Sequence, residues 1–254
     1  MYAEERQQAI ADLVARRGRL SVNALAAEYA VTTETVRRDL SALERIGILR
    51  RVHGGAVPSA ALALETKVGD RDLSRADEKD RIARAALALL PVSGGSVLLD
   101  AGTTTARLAM LLPRDLQLTV VTNAVPIAAR LAGSPSVDLH LLPGRVRPTT
   151  HAAVGEDTVA ALGRLRVDVA FVGTNGLSLD HGLSTPDHAE AAAKRALVAG
   201  ARKVVVLVDS SKIGQEHTVR FAELADLDVV VTDSDVDADD LAALRRLDLQ
   251  VLVA

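Results

Sequence analysis

Cysteine is absent from this 254-residue chain, which excludes a disulfide framework, a thiolate zinc site and a cysteine nucleophile. The six histidines fall in no H-x-x-x-H or related ligand spacing, so no metal is expected. Long apolar runs are missing too: Lys203 to Val208 and Asp228 to Val231 stop far short of the roughly 20 residues that span a bilayer. The opening "MYAEERQQAIADL" has no signal-peptide layout, and with no membrane partner in view the expected location is the cytoplasm. Neither a G-x-G-x-x-G fingerprint nor a G-K-[ST] phosphate loop occurs, so no nucleotide cofactor is expected.

What is present is apolar and unevenly charged. At 48% hydrophobic residues the chain can bury a sizeable core as one large domain or two unequal ones. Residues 1–57 carry nine Lys+Arg against seven Asp+Glu, and residues 58–254 carry 21 against 26. That contrast alone does not point to nucleic acid; the placement of the first nine does.

Ile10, Leu13 and Val14 repeat at i, i+3, i+4 and predict a first helix closed by Gly18. "RLSV" reads as a short strand, Ser21 caps a second helix and Thr32 a third. In the third, Val36, Leu40 and Leu43 form the buried stripe, leaving Thr33, Glu34, Arg37, Arg38 and Ser41 outward. Two helices joined by the tight "AVT" turn, the second presenting arginine and threonine near its start, fit a helix-turn-helix. Arginine reads guanine edges bidentately; threonine hydroxyls and helix N-terminal amides hold phosphate. "GILRRVHGGAV" then reads as a wing that offers Arg50, Arg51 and His53. The plainer alternative is a solvated bundle face.

Residues 58–76 shift to small and charged residues without a period and read as a linker. From Asp77 to Ala254, continuous apolar strands alternate with helices, which predicts a mainly parallel α/β sheet covered on both faces. Ligands on such sheets bind beyond the carboxyl ends of the strands. Five turns there are small and polar: Asp100 to Thr105, Thr122-Asn123, Pro143 to Arg145, Gly173 to Ser178 and Asp209 to Lys212. All five are expected on one rim. Gly102 and the threonines offer open backbone and a helix N-terminus to an anion, with Lys212 as neutralising cation; ordinary N-capping is the competing explanation of that turn.

The pattern Arg6, Ile10, Val14, followed by Thr32-Thr-Glu-Thr35-Val36-Arg37-Arg38-Asp39-Leu40 and "LRRVHGGAV", resembles the DeoR family of bacterial transcriptional regulators. "DAGTTT", "VTN", "DVAFVGTNG", "EAAAKRA" and "DSSK" extend the likeness through most of the chain. The resemblance implies a winged helix-turn-helix over residues 1–57 and an effector-sensing domain over 77–254, related in fold to ribose-phosphate isomerases. It implies operator DNA contacts at Thr33, Thr35, Arg37, Arg38, Arg51 and His53. Effector contacts are implied at Asp100, Gly102, Thr103, Thr104, Thr105 and Lys212, and more weakly at Asn123, Asn175, Asp168, Glu190 and Lys194. Asp39 reads as partner of a nearby arginine rather than base reader. Glu65, Arg71, Glu78 and Lys79 resemble the family's junction positions and read as interdomain salt bridges. "LLPGRV" departs from the family's usual glycine pair, which puts the third turn's role in doubt.

The expected function is a repressor of sugar uptake or catabolism genes, a homo-oligomer (dimer or tetramer) on double-stranded operator DNA, controlled by a phosphorylated sugar. The fructose or sugar-phosphate branch looks most similar; whether effector releases or strengthens DNA binding is left open. The alternative is a sugar-phosphate isomerase-like enzyme, which needs a positioned carboxylate. The turn Val172 to Gly176 has none, so no enzyme activity and no cofactor are expected.

Overall fold

The computed structural model describes residues 3–17, 20–52, 54–58 and 68–254; Gly18, His53 and Glu65, singled out in the sequence, lie outside the described residues. Helix α1 (Ala3–Arg17) leads into β1 (Leu20–Ser21), α2 (Val22–Glu28), α3 (Thr33–Arg45), β2 (Leu49–Val52) and β3 (Gly55–Pro58). Ser21 caps α2 by accepting from Ala24 N at 3.1 Å, and Thr32 caps α3 by accepting from Thr35 N at 3.2 Å. The short strands pair antiparallel in the order β1-β3-β2. Gly55 lies so close to the Leu20 carbonyl that a Cβ would collide with it, which fixes glycine at that end of the wing turn. Ile10, Leu25, Val36 and Leu40 are fully buried between α1, α2 and α3, each contributing about 1.5–3 kcal/mol. A buried ion pair, Arg6 Nε to Asp39 Oδ2 at 2.6 Å, ties α1 to α3.

The linker contains a helix that its pattern does not predict, α4 (Val68–Leu73), because none of its side chains is buried and so no apolar period marks it. Then follow α5 (Ala76–Ala86), β4 (Ser96–Leu99), α6 (Thr103–Met110), β5 (Leu118–Thr122), α7 (Val125–Leu131) and β6 (Val137–Leu141). A ribbon, β7 (Arg145–Val146) with β8 (Ala153–Val154), precedes α8 (Glu156–Leu162) and β9 (Val167–Gly173). The chain continues through β10 (Gly176–Ser178), β11 (Gly182–Thr185), α9 (His188–Ala199), β12 (Ala201–Leu207) and β13 (Val219–Ala222). It ends with β14 (Val229–Thr232), α10 (Ala238–Leu244) and β15 (Gln250–Val253).

Seven of these strands form one parallel sheet in the order β15-β14-β12-β9-β4-β5-β6. Alternate residues of its strands face opposite layers. Val97, Leu99, Phe171 and Val205 pack against α5, α6 and α7, whereas Leu98, Ala170, Val172 and Val206 pack against α8, α9 and α10. Burial on both faces is why these strands read as unbroken apolar runs. A smaller antiparallel sheet, β10-β11-β13, adds Leu177, Leu183 and Phe221 to the second layer. From β4 the chain builds outward through β5 and β6, then returns to β9 on the opposite side. The carboxyl ends of β4 and β9 are therefore the switch point at which such a sheet leaves a crevice.

Candidate functional site

Two surfaces gather the polar side chains. The first is the outer face of α3. Arg37 and Arg38 approach Glu34 at only 3.8 and 3.6 Å, with side chains 53% and 81% exposed; such pairs are worth about 0–1 kcal/mol and yield readily to a phosphate or a base. Arg51 donates to Ser41 Oγ at 2.8 Å, and its backbone amide donates to Glu44 Oε1 at 2.7 Å, so the wing is fastened to the helix. A groove of about 350 Å³ is lined by Glu34, Arg37, Arg38, Ser41, Arg45 and Arg51. Thr33 and Thr35 sit apart at the N-terminus of α3, where the Thr35 hydroxyl lies 2.9 Å from that of Thr32. Arg45 was missed by sequence reasoning, although its i+8 spacing from Arg37 puts both on one helical face. Arg50 turns away from the groove and pairs with Glu216 Oε2 at 3.0 Å. Asp39 points inward, accepting from Arg6 and, at 2.9 Å, from Gln7 Nε2.

The second surface is a cavity of about 70 Å³ over the carboxyl ends of β4, β9 and β12. Gly102 to Thr105 line one wall, Thr174 and Asn175 a second, and Asp209, Ser211 and Lys212 a third. Three of the five polar turns thus converge. Thr122-Asn123 and Pro143 to Arg145 follow strands of the same parallel sheet and so lie on the same rim, but β5 and β6 extend sideways from β4 away from the switch point, and neither turn lines the cavity.

At the first wall, α6 begins without a side-chain cap, as do α5, α7 and α8, and it is α6 whose first residues line the cavity. Its first amides therefore face the cavity with the positive end of the helix dipole behind them. Gly102 has φ 179, a conformation open to any residue; its use is space, since a Cβ would sit 3.0 Å from Thr105 Oγ1. The Thr105 hydroxyl donates back to Gly102 O at 3.0 Å, leaving Thr103 and Thr104 as the accessible hydroxyls.

Charge in the cavity is lopsided. Lys194 is neutralised by Asp100 and Glu190 by Arg147 Nη1 at 3.0 Å, and Asp209 faces Arg75 Nε at 3.7 Å. Arg71, Lys79 and Lys212 also line the cavity, and none of them forms an ion pair with a carboxylate among the described residues. Burial holds the Lys79 ammonium down to about 8, against the attraction of Asp209 and with help from Lys212 and Arg107. Sequence reasoning placed Arg71 and Lys79 at a domain junction and missed the cavity. The available signal was the position of Lys79 on the buried stripe of α5 with Ile82, Ala83 and Ala86, where a lysine is costly unless it has work to do.

Two residues expected to face the effector lie behind the walls instead. Asp100 is 1% exposed, and its Oδ2 accepts from Lys194 and, at 3.0 Å, from Gly173 N. Asn123 accepts from Ala101 N at 3.1 Å and donates to Ala153 O at 3.2 Å. Both brace the turns from below because their polar atoms are already occupied. Asp168 lies at the far end of the sheet, where it accepts from Ser96 N at 2.9 Å; those hydrogen bonds from Ser96 hold its carboxyl below the usual range. No group of three or more metal-ligating side chains occurs among the described residues.

Profiles of known families match both parts of the chain: a DeoR-like helix-turn-helix domain at residues 6–59 and a DeoR C terminal sensor domain at residues 74–234. The chain belongs to the DeoR family. The HTH-type transcriptional regulator GlpR of Haloferax volcanii is 36% identical over 94% of this chain and 93% of that protein. The glycerol-3-phosphate regulon repressor of Escherichia coli strain K12 is 32% identical over 92% of each. The transcriptional repressor GlcR of Bacillus subtilis is 31% identical over 92% of this chain and 89% of that one. Among solved structures, ribose 5-phosphate isomerase A from Methanocaldococcus jannaschii is similar, with 20% identity, 55% of each chain covered and a TM-score of 0.41. This DeoR-family chain is accordingly a DNA-binding transcriptional regulator with an α/β sensor domain, and no helix among its described residues is long and apolar enough to cross a membrane.

Proposed function

We propose that this regulator is a repressor that grips its operator through the α3 groove and is controlled by a small phosphoester, of the sugar-phosphate class, in the cavity at the β4–β9 switch point. One observation carries the reading: an uncapped helix N-terminus faces Arg71, Lys79 and Lys212 across a single cavity. At about 10–15 Å³ of such space per water, the cavity has room for a phosphate and its first carbons rather than for a nucleotide. Gly102 to Thr105 and Lys212 hold the phosphate, and Asn175 orients the remainder. Arg37, Arg38 and Arg51 contact DNA, Thr33 and Thr35 add phosphate contacts at the helix start, and His53 is assigned a further DNA contact on its sequence alone. Two copies on paired half-sites supply the affinity that one small module lacks. The relatives named as repressors, one of a glycerol-3-phosphate regulon, fit this reading.

Turnover is not part of it. The two carboxylates that line the cavity are engaged: Glu190 by Arg147, and Asp209 in capping the turn at Ser210. Neither is poised to abstract a proton from a sugar carbon. A thermal-shift panel of pentose, hexose, ketose and triose phosphates tests the reading. A true effector at 100 Kd adds about 2.7 kcal/mol of stability, and Thr104→Val and Lys212→Ala abolish the shift while leaving DNA binding intact. A shift retained by both variants would move the site elsewhere, and isomerised product at enzyme-like rates would restore the catalytic alternative.

Lys79 adds a pH signature. Facing Asp209, Lys212, Arg107 and Asp72, it loses its proton near pH 8 rather than 10.5, so it is a cation below that value and neutral above it. Phosphoester affinity therefore falls by up to about tenfold between pH 7 and pH 9, as the protonated fraction of Lys79 drops from about nine-tenths to about one-tenth. Lys79→Arg, charged throughout, flattens the profile; titration calorimetry at three pH values decides.

A further inference from the structure

We propose that the sensor domain carries an acidic docking surface for the chain's own wing, and that operator DNA must displace the wing from it. The autoinhibitory contact stands on the interdomain geometry; its link to the cavity rests on the phosphoester reading.

Two spaces of about 250 Å³ each open between the DNA-binding and sensor domains. One lies between Arg50 and Val52 of β2 and the sensor segments around Ser178 and Glu216. Across it Arg50 Nη1 donates to Glu216 Oε2 at 3.0 Å, both side chains being partly exposed. That carboxylate is held in place, since its other oxygen accepts from Ser178 Oγ at 2.8 Å. The second space lies between Arg37, Arg51 and Asp239, an exposed residue in the first turn of α10. Arg37 and Arg51 also line the α3 groove. A DNA phosphate seated on them therefore meets the Asp239 carboxylate, and one seated on Arg50 competes with Glu216; like charges brought together in this way oppose docking. Asp239 also complements the helix dipole, an explanation that Glu216, in a loop, does not share.

Both sensor segments start in the effector cavity. Thr174 and Asn175 line it and run on into Leu177 to Asp180; Ser211 and Lys212 line it and run on to Glu216. Between the two sites the segments are locked together. Gly214 N donates to Leu177 O at 2.6 Å, and Gly176 lies so close to the Gln215 carbonyl that a Cβ would collide with it. Gln215 Nε2 also donates back to Ser211 O at 2.8 Å. A phosphoester drawn onto Lys212 thus acts on the segment that presents Glu216 to the wing. The docked and released wing is the two-state element that such coupling needs, and the difference in effector affinity between the two states sets its size.

Operator affinity and interdomain distance, both on the full-length protein, test this. Glu216→Gln, which keeps an acceptor for Ser178, raises operator affinity about two- to fivefold per chain. Glu156→Gln removes an exposed charge from α8, which lines neither interdomain space, and leaves affinity unchanged. Because the chain has no cysteine, spin labels at Ile46→Cys and Val92→Cys, both exposed sites, report one distance within each chain when diluted with unlabelled protein. That distance is narrowly distributed in the otherwise wild-type protein and is displaced or broadened by operator DNA and by Glu216→Gln. Millimolar inorganic phosphate, against chloride at matched ionic strength, shifts the docked fraction in the wild type and not in Lys212→Ala. Equal affinities for Glu216→Gln and Glu156→Gln, or a distance that operator DNA leaves unchanged, overturns the docking surface. A docked fraction indifferent to phosphate overturns only the link to the cavity. In that case a phosphate thermal shift that Lys212→Ala abolishes leaves the phosphoester reading standing, and no shift overturns that reading as well.

Discussion

Arg37→Ala and Arg38→Ala are each expected to lower operator affinity by about 1–3 kcal/mol per contact, roughly ten- to a hundredfold. In a pair of half-sites the loss occurs twice and the two losses add, giving up to about 10⁴-fold. Stability does not change, because neither side chain is buried and the ion-pair partner given up among the described residues is Glu34, at 3.8 and 3.6 Å. Salt and sequence dependence divide the two roles. An arginine on a base edge relaxes sequence preference at one position. An arginine on phosphate weakens all sequences alike and reduces the salt slope by about one. Fluorescence anisotropy against duplexes selected from a random pool, at several salt concentrations, reads both. Affinities within about twofold of wild type for both variants would take the α3 groove out of the DNA interface. Arg45, on the same face, is the internal comparison, expected to act on phosphate because it lies two turns further from the helix start.

Legibility in the sequence followed burial. The five inner strands of the parallel sheet are readable because each runs apolar toward both faces, whereas the edge strands β6 and β15 are partly exposed; α3 is readable because Val36, Leu40 and Leu43 return at helical spacing. The sheet β10-β11-β13 is not, since "GLS", "GLST" and "VRFA" are short, the first two carrying glycine with serine or threonine and the third an arginine where a core strand would carry valine. Helix α4 escapes for the opposite reason, having no buried stripe at all. The cavity was legible wall by wall but not as a set. Strand order decides that the ends of β4, β9 and β12 surround the cavity while those of β5 and β6, on the same rim, lie to one side of it, and no local pattern states strand order. Asp100 and Asn123 show a further limit: a polar residue after a strand end faces ligand or braces the turn according to what lies beneath it, here Lys194 and the Ala153 carbonyl.

The largest stability loss is expected from Lys194→Met. Lys194 and Asp100, 4% and 1% exposed, pin two turns together across the switch point. Asp100 Oδ2 takes the ammonium and Gly173 N at 3.0 Å, and Lys194 donates in turn to Gly173 O at 2.9 Å. Removing the ammonium strands a buried carboxylate at a cost of about 3–5 kcal/mol, on the order of 10 °C in melting temperature for a chain of this size. Burial already pushes the Asp100 carboxyl up, and Lys194 is the main opposing influence; without it the carboxyl rises further and takes up a proton. A carboxyl raised in the folded state contributes stability that is lost as pH rises through its folded value, so the deficit of Lys194→Met shrinks from pH 8 to pH 5. Removing both charges, as Asp100→Leu with Lys194→Met, recovers most of the loss, because a well-packed apolar pair substitutes for a buried ion pair at little cost. That double variant also separates bracing from binding. With the Lys194 charge already cancelled by Asp100, the phosphate-induced thermal shift survives in the double variant and not in Lys212→Ala. A double variant that regains its melting temperature yet ignores phosphate would make Lys194 a direct contact of the effector.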